Sequence, residues 1–231
     1  MSSESDKKIT IHLIEDDVSQ RDSIKSLLAF KGFITKSYST ANDFLQALPF
    51  ERPAIVIADI QLPDISGVDL HRMLMEKNIN PPIIFISGEA SIQESIDAMK
   101  QGAIEFLVKP FEIDTLIAAV NNAIKIELKE INLNFLLKNL SPRELEVYNL
   151  LLQGLNNQEL IDKLHLSLPT VKQYKSEVMR KLKVNSISKL IELARYSTPP
   201  PPQHHPFEGY SWNEYNFIIF PWKKIYITLA Y

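Results

Sequence analysis

An unbroken apolar run, residues 54–58, ends directly at the acidic side chain of Asp59. Strands without polar alternation are buried on both faces, as they are in the parallel sheets of α/β proteins. Ligands of such sheets bind beyond the carboxyl ends of the strands. The run therefore predicts a central strand that delivers Asp59 to the functional edge of a parallel sheet.

Three further apolar runs also end in side chains that carry chemistry. These are residues 9–14 before Glu15 and Asp16, residues 83–86 before Ser87, and the shorter run 106–108 before Lys109. Because the carboxyl ends of parallel strands share one edge, we expect these side chains to gather around Asp59. Helical patterns lie between the runs, so the order predicts strand and helix alternating five times in a parallel sheet covered on both faces.

The expected cluster suits an aspartate that accepts a phosphoryl group beside a divalent metal. A carboxylate attacks phosphorus poorly because both partners are anionic, and Mg²⁺ bound by hard oxygen ligands removes that repulsion. The predicted ligands are Glu15, Asp16, Asp59 and the backbone carbonyl of Gln61. Lys109 and Ser87 are predicted to donate to the phosphoryl oxygens.

Residues 8–127 resemble the receiver domain of two-component response regulators. The resemblance rests on Glu15-Asp16, Asp59, Leu62-Pro63 with Gly67, Ser87-Gly88, Phe106 and Lys109-Pro110-Phe111. It implies a flavodoxin-like, doubly wound, five-stranded parallel sheet whose Asp59 takes a phosphoryl group from a sensor histidine kinase. It also implies a conformational switch in which Ser87 moves toward the phosphoryl group and Phe106 turns inward, and a cis bond between Lys109 and Pro110.

An enzyme that hydrolyses an external phosphoester is the competing interpretation of an acid at a strand end. Aspartyl-phosphate hydrolases of the haloacid dehalogenase type place a second aspartate two residues after the first, where it acts as a general acid. That position is Gln61, which cannot shuttle a proton. We therefore expect no enzyme beyond self-phosphorylation on Asp59 and slow autodephosphorylation.

The charge is divided unevenly along the chain. Residues 1–127 carry a net charge of −7 and residues 128–198 a net charge of +4, so a polyanionic partner is expected to meet the second part. The sequence predicts a helical linker over 128–138, a small all-α domain over 139–197 and a Pro- and aromatic-rich tail of unknown role over 198–231. Ser141-Pro142-Arg143-Glu144 has the pattern of a helix start with a capping box.

Residues 139–197 resemble the LuxR-type helix-turn-helix of FixJ/NarL-family regulators. The matching residues include Leu140–Val147, Gly154, Asn157–Leu160, Leu166-Ser167, Thr170–Lys172 and Lys181-Leu182. A basic helix from about 169 to 182 takes the place of the recognition helix, whose first residues meet base edges in the major groove. The predicted base-facing residues are Lys172, Gln173 and Ser176, and the predicted phosphate contacts are Thr170, Lys175 and Lys189.

Together these features predict a cytoplasmic response regulator that binds double-stranded promoter DNA and forms a homodimer when phosphorylated. The surface expected to be remodelled comprises the helix 91–101, the strand 104–108 and the helix after Phe111. The dimer is expected to form through the helix 91–101 and the strand that follows it. RNA polymerase is an expected partner and a membrane is not, because no apolar run reaches the roughly 18 residues of a membrane helix. One alternative stays open, a DNA-binding regulator whose receiver is a phosphorylation-independent dimerisation or protein-interaction module.

Overall fold

The computed structural model describes residues 9–88 and 102–195, which divide into two compact units between Leu128 and Lys129. The first unit is built on a five-stranded parallel sheet in the order β2-β1-β3-β4-β5. Its strands are β1 Thr10–Ile14, β2 Ile34–Tyr38, β3 Ala54–Asp59, β4 Ile83–Ser87 and β5 Glu105–Val108. Its helices are α1 Val18–Phe30, α2 Ala41–Gln46, α3 Gly67–Glu76 and the part of α4 Ile113–Leu137 up to Leu128. The predicted doubly wound sheet is confirmed.

The central strand β3 is buried along its whole length and has a core on each face. Ile55 and Ile57 point into a cluster with α1 and α4, whereas Val56 and Ala58 point into a cluster with α2 and α3. This is why the run has no polar alternation: successive side chains of a strand point to opposite faces, and both faces here are apolar.

The prediction that all four apolar runs are buried on both faces is wrong for the last one. Strand β5 lies at the edge of the sheet, where Phe106 is half-buried and Val108 is 53% exposed. The opposite edge strand, β2, alternates exposed and half-buried residues, so a search for apolar runs does not single it out. An edge strand has a neighbour on one side only, which lowers the burial of its side chains.

Two helices of the first unit start at residues whose side chains cap them. The hydroxyls of Thr40 and Ser66 accept hydrogen bonds from backbone N–H groups of α2 and α3, as expected for N-caps. Ile24 and Leu28 of α1 are buried in the same core cluster as Ile55 and Ile57. The helix predicted over residues 91–101 and the tail over 198–231 lie outside the described residues.

The second unit is helical throughout its described part. Four helices follow α4: α5 Pro142–Leu152, α6 Asn157–Leu164, α7 Leu168–Lys181 and α8 Ile187–Ala194. The capping box of Ser141 and Glu144 is present at the start of α5, as predicted. Leu160 and Leu164 of α6 are buried in the core of this unit. Of the helices described in either unit, none has both the length and the apolar character needed to cross a membrane.

Candidate functional site

Three carboxylates lie together at the carboxyl ends of β1 and β3. Glu15 follows β1, Asp59 ends the neighbouring β3, and their carboxylate oxygens lie with one of Asp16 within 4.8 Å of one another. Glu15 and Asp59 are buried, whereas Asp16 is exposed, so the cluster is open to solvent on one side. Hard oxygen donors at this spacing are able to share one Mg²⁺ ion.

Lys109 connects the two buried acids. Its Nζ donates hydrogen bonds of 2.6 Å to Oε2 of Glu15 and 2.6 Å to Oδ2 of Asp59. Burial acts to lower the pKa of Lys109, but the hydrogen bonds to these two carboxylates outweigh it and raise that pKa. The ammonium therefore stays charged at neutral pH, beside Oδ2 of Asp59.

Glu15 is held in an unfavourable electrostatic environment. Burial raises the pKa of its carboxyl and the nearby charge of Asp59 adds to this effect, while Lys109 opposes it. A raised pKa means that the charged form is short of compensating interactions. A cation beside the three acids would supply that compensation, so the donor set is suited to Mg²⁺.

Ser87 ends β4 and adjoins the strand that carries Asp59. Its side chain is fully buried, and its Oγ has no hydrogen-bond partner among residues 9–88 and 102–195. A buried hydroxyl without a partner costs free energy, so an acceptor is expected at this position. Phe106 is not part of this polar group; it packs on the apolar cluster beneath α2 and α3.

Backbone contacts hold the loops that carry the acids. The guanidinium of Arg21 donates hydrogen bonds to the carbonyl oxygens of Glu15, at 2.7 Å, and Asp16, at 3.0 Å. The amide of Gln61 donates to Oδ1 of Asp59 at 2.8 Å, while the metal-binding role of the Gln61 carbonyl stays a prediction. The Lys109–Pro110 bond is cis, as the resemblance implied.

Sequence reasoning missed two residues that shape this site. Besides Arg21, it missed Asp64, whose carboxylate accepts hydrogen bonds from the amides of Ala41, at 3.1 Å, and Asn42, at 2.8 Å. That contact ties the loop after Asp59 to the first turn of α2. For Arg21, the only signal in the sequence was an arginine in the first turn of α1. For Asp64 there was no signal, because the sequence around a loop aspartate does not indicate which distant amides it will accept from.

The predicted DNA-contacting residues divide into two groups in the structure. Lys172, Gln173 and Ser176 are exposed on α7, and Lys189 is exposed in the first turn of α8. The hydroxyl oxygens of Thr170 and Ser167 lie 2.8 Å apart. Lys175 is half-buried, and its Nζ donates to Oδ1 of Asn157 in α6 at 2.7 Å. Lys175 therefore does not lie with the exposed group.

Comparison with known proteins gives the same division of the chain. Residues 11–121 match the response regulator receiver domain, and residues 138–194 match the bacterial regulatory proteins of the luxR family. The chain is 35% identical to nodulation protein W of Bradyrhizobium diazoefficiens over 198 residues, which are 83% of this chain and 87% of that protein. It is 33% identical to the transcriptional regulatory protein FixJ of Rhizobium meliloti over 192 residues, 80% of this chain and 94% of FixJ.

This chain belongs to the FixJ/NarL family of two-component response regulators. A solved structure of the response regulator StyR is also similar, with a TM-score of 0.51, 31% identity and coverage of 81% of this chain and 98% of that one. The family joins a receiver to a LuxR-type DNA-binding domain, so the chain is a two-component transcriptional regulator. Receivers bind Mg²⁺ at an acidic pocket, and this member has an acidic cluster in that place.

Proposed function

We propose that this family member is switched by phosphorylation: Asp59 accepts a phosphoryl group from a sensor histidine kinase, and the change promotes DNA binding. One observation carries the proposal. Adjacent strand ends bring together three carboxylates and the ammonium of Lys109, and the strand next to Asp59 ends in Ser87, whose buried hydroxyl has no partner among residues 9–88 and 102–195. Each of these groups has a distinct task in transferring and holding a phosphoryl group.

In the proposed step, a carboxylate oxygen of Asp59 attacks the phosphorus of a phosphohistidine. The P–O bond forms as the P–N bond breaks, and the bonding pair leaves with the imidazole of the kinase. The Gln61 amide holds the other oxygen, Oδ1, and so orients the carboxylate. Lys109 and Ser87 each donate to one of the phosphoryl oxygens.

The proposed Mg²⁺ site consists of the carboxylates of Glu15, Asp16 and Asp59 and the carbonyl of Gln61. When bound, Mg²⁺ neutralises the charge that otherwise keeps the carboxylate and the phosphoryl donor apart. The raised pKa of Glu15 supports this assignment, because burial and the charge of Asp59 leave its carboxylate in need of a counter-charge.

We propose that phosphorylation shifts the receiver between two packings through Ser87 and Phe106. The remodelled surface would include β5 and the start of α4, where Val108 is 53% and Ile113 is 52% exposed. A second copy of the chain is the proposed occupant of that surface. A symmetric dimer would bind two half-sites about one helical turn apart.

In the second unit, α7 is the proposed recognition helix, with Lys172, Gln173 and Ser176 at base edges and Thr170 and Lys189 at phosphates. Exposure of the first three side chains supports this assignment. Promoter DNA implies a cytoplasmic location and RNA polymerase as a further partner.

Intact-mass measurement after incubation with Mg²⁺ and acetyl phosphate tests the phosphorylation. We expect the wild-type chain to gain one phosphoryl mass and Asp59→Asn to gain none. Asp22→Asn, which removes an exposed acid of α1, is the matched control and should behave like the wild type. If Asp59→Asn gained one acid-stable phosphoryl group, the acceptor would be elsewhere. A wild-type chain that gains none and still binds DNA would favour the phosphorylation-independent alternative.

Sedimentation with and without a phosphoryl mimic tests the dimer. The dimer population of the wild type should rise with the mimic, and that of Asp59→Asn should not change. The same monomer population under both conditions would contradict phosphorylation-dependent dimerisation.

A further inference from the structure

The candidate recognition helix α7 has a buried stripe and an exposed face. Val171 and Val178 are fully buried in the core of the second unit. Lys175 stands four residues after Val171 and three before Val178, so it lies at the flank of that buried stripe. Its side chain is half-buried, unlike those of Lys172 and Gln173. The position of Lys175 is therefore on the side of α7 that faces the protein.

The head group of Lys175 is engaged within the protein. Its Nζ donates a hydrogen bond of 2.7 Å to Oδ1 of Asn157, the first residue of α6. Asn157 is itself half-buried. A hydrogen bond from a charged donor is stronger than one between neutral groups. The contact joins the middle of α7 to the beginning of the preceding helix.

The far end of α7 is held in the same way. Nζ of Lys181, the last residue of the helix, donates to Oε2 of Glu144 at 2.6 Å and to the carbonyl of Asn139 at 3.2 Å. Two of the lysines of α7 therefore bind protein groups, in the middle and at the end of the helix, while Lys172 stays exposed.

We propose that Lys175 is a positioning residue that, through Asn157, fixes where α7 lies against α6 and thereby sets base preference. This proposal rests on the proposed role of α7 in binding DNA, and it replaces the phosphate contact predicted for Lys175. Base readout requires side chains to be held in a narrow range of positions. A helix free to shift against α6 would bring Gln173 to several base edges in place of one.

Binding titrations at several salt concentrations distinguish the two roles of Lys175. The full-length chain and its variants Lys175→Met, Asn157→Ala and the double variant are titrated against the preferred site and a single-base variant of it. If Lys175 and Asn157 together position α7, each single substitution lowers the ratio of the affinity for the preferred site to the affinity for the single-base variant roughly tenfold. The double substitution lowers this ratio no further. The slope of log affinity against log salt stays at the wild-type value.

Two further variants sharpen the comparison. Asn157→Asp keeps an acceptor for Lys175, so its affinity ratio should stay close to that of the wild type. Lys163→Met removes an exposed lysine from α6 and is the control for loss of charge alone. Circular dichroism checks that each variant is folded. If Lys175→Met does not fold, the affinity ratios of Asn157→Ala and Asn157→Asp are compared, and a positioning role requires the ratio to fall for Asn157→Ala only.

A phosphate contact gives the opposite pattern. Lys175→Met would then lower the salt slope by about one unit and weaken both sites equally, with Asn157→Ala near the wild type. That result would overturn the positioning role. Failure of the wild-type chain to prefer any DNA site at any salt concentration would instead reject the proposed DNA-binding function, and the positioning role with it.

Discussion

The ammonium of Lys109 lies 2.6 Å from Oδ2 of Asp59, fifty residues earlier in the chain. The same Nζ lies 2.6 Å from Oε2 of Glu15, so two buried acids share one ammonium group. Lys109 thus contacts two of the three acids that are proposed to hold Mg²⁺. This relationship has a measurable consequence.

We expect Lys109→Met to make the stability of the receiver depend more strongly on Mg²⁺. Without the ammonium, two buried carboxylates lose a charged partner, which costs roughly 1–3 kcal/mol. A bound cation would recover part of that loss, since the pocket is then more negative. The measurement is the rise in melting temperature on adding Mg²⁺, with Lys125→Met, an exposed lysine of α4, as control. An equal rise in all three proteins would count against the shared site.

Gly67 should not tolerate a side chain. A Cβ atom at this position would overlap the carbonyl oxygen of Asp59 and lie 3.2 Å from Cα of Ile60. Gly67→Ala must therefore displace the backbone of the acceptor, and we expect it to destabilise the receiver by roughly 1–3 kcal/mol and to slow phosphorylation. Gly88→Ala is the control for stability, because a Cβ there meets no atom of residues 9–88 and 102–195 within 4 Å. Thermal unfolding that lowered both variants equally would refute the steric explanation.

Arg52→Met should destabilise the first unit, because it removes an ion pair with Glu127. Arg52 precedes β3, at the end of the strand opposite to Asp59. Glu127 is fully buried and accepts hydrogen bonds from the Arg52 guanidinium and, at 2.9 Å, from the amide of Ala54. Removing one partner of a fully buried ion pair costs about 3–5 kcal/mol. Because the Arg52 side chain is 32% exposed, we expect about 2 kcal/mol in urea unfolding.

The pair of Arg72 and Asp69 is a suitable reference for that experiment. Both side chains are largely exposed on α3, so Arg72→Met should cost at most about 1 kcal/mol. If Arg52→Met and Arg72→Met had the same effect, the buried pair would not be a significant contribution to the stability of this unit.

Acid should weaken the second unit through Glu144. Burial opposes ionisation, but hydrogen bonds from Lys181 and from Ser141 outweigh it and lower the pKa of this carboxyl below its usual 4.5. A group with a lowered folded-state pKa stabilises the fold above its usual pKa, and that contribution is lost as the pH falls through the lowered value.

We therefore expect the stability difference between the wild type and Glu144→Gln to be full at neutral pH and to shrink as the pH falls below about 4.5. Thermal unfolding over a pH series measures this difference, with Glu192→Gln, an exposed acid of α8, as control. A difference that stayed constant down to acid pH would show that ionisation of Glu144 does not contribute.

Substitutions in the second unit should affect either the base preference or the overall affinity for DNA, depending on the residue. If Gln173 reads a base, Gln173→Ala costs about 1–3 kcal/mol on the preferred site and relaxes preference at one base pair. Lys189→Ala should weaken all sequences alike and lower the salt slope by about one unit. Titrations against single-base variants at two salt concentrations decide this. An even loss across all variants for Gln173→Ala would mean that this face of α7 does not read bases.

The strand ends were predictable because apolar runs and parallel pairing follow local rules. Asp59, Ser87 and Lys109 were placed at one edge from the sequence, and the structure places them at adjacent strand ends. The order of those strands came from the resemblance, since nothing within a run states its neighbours. Strand β5 shows the limit, because its apolar letters suggested full burial and its edge position leaves Val108 exposed.

The sequence by itself determined the fold class, the capped helix starts and the identity of the chemical groups, because each depends on short-range patterns. Only the tertiary structure decided which partners those groups meet. Arg21 donates to backbone carbonyls, Arg52 donates to Glu127, and Lys175, for which a phosphate contact is predicted, donates to Asn157. A long, charged side chain can reach several hydrogen-bond or ion-pair partners, and the nearby sequence does not distinguish among them. The packing of distant segments decides which partner it meets.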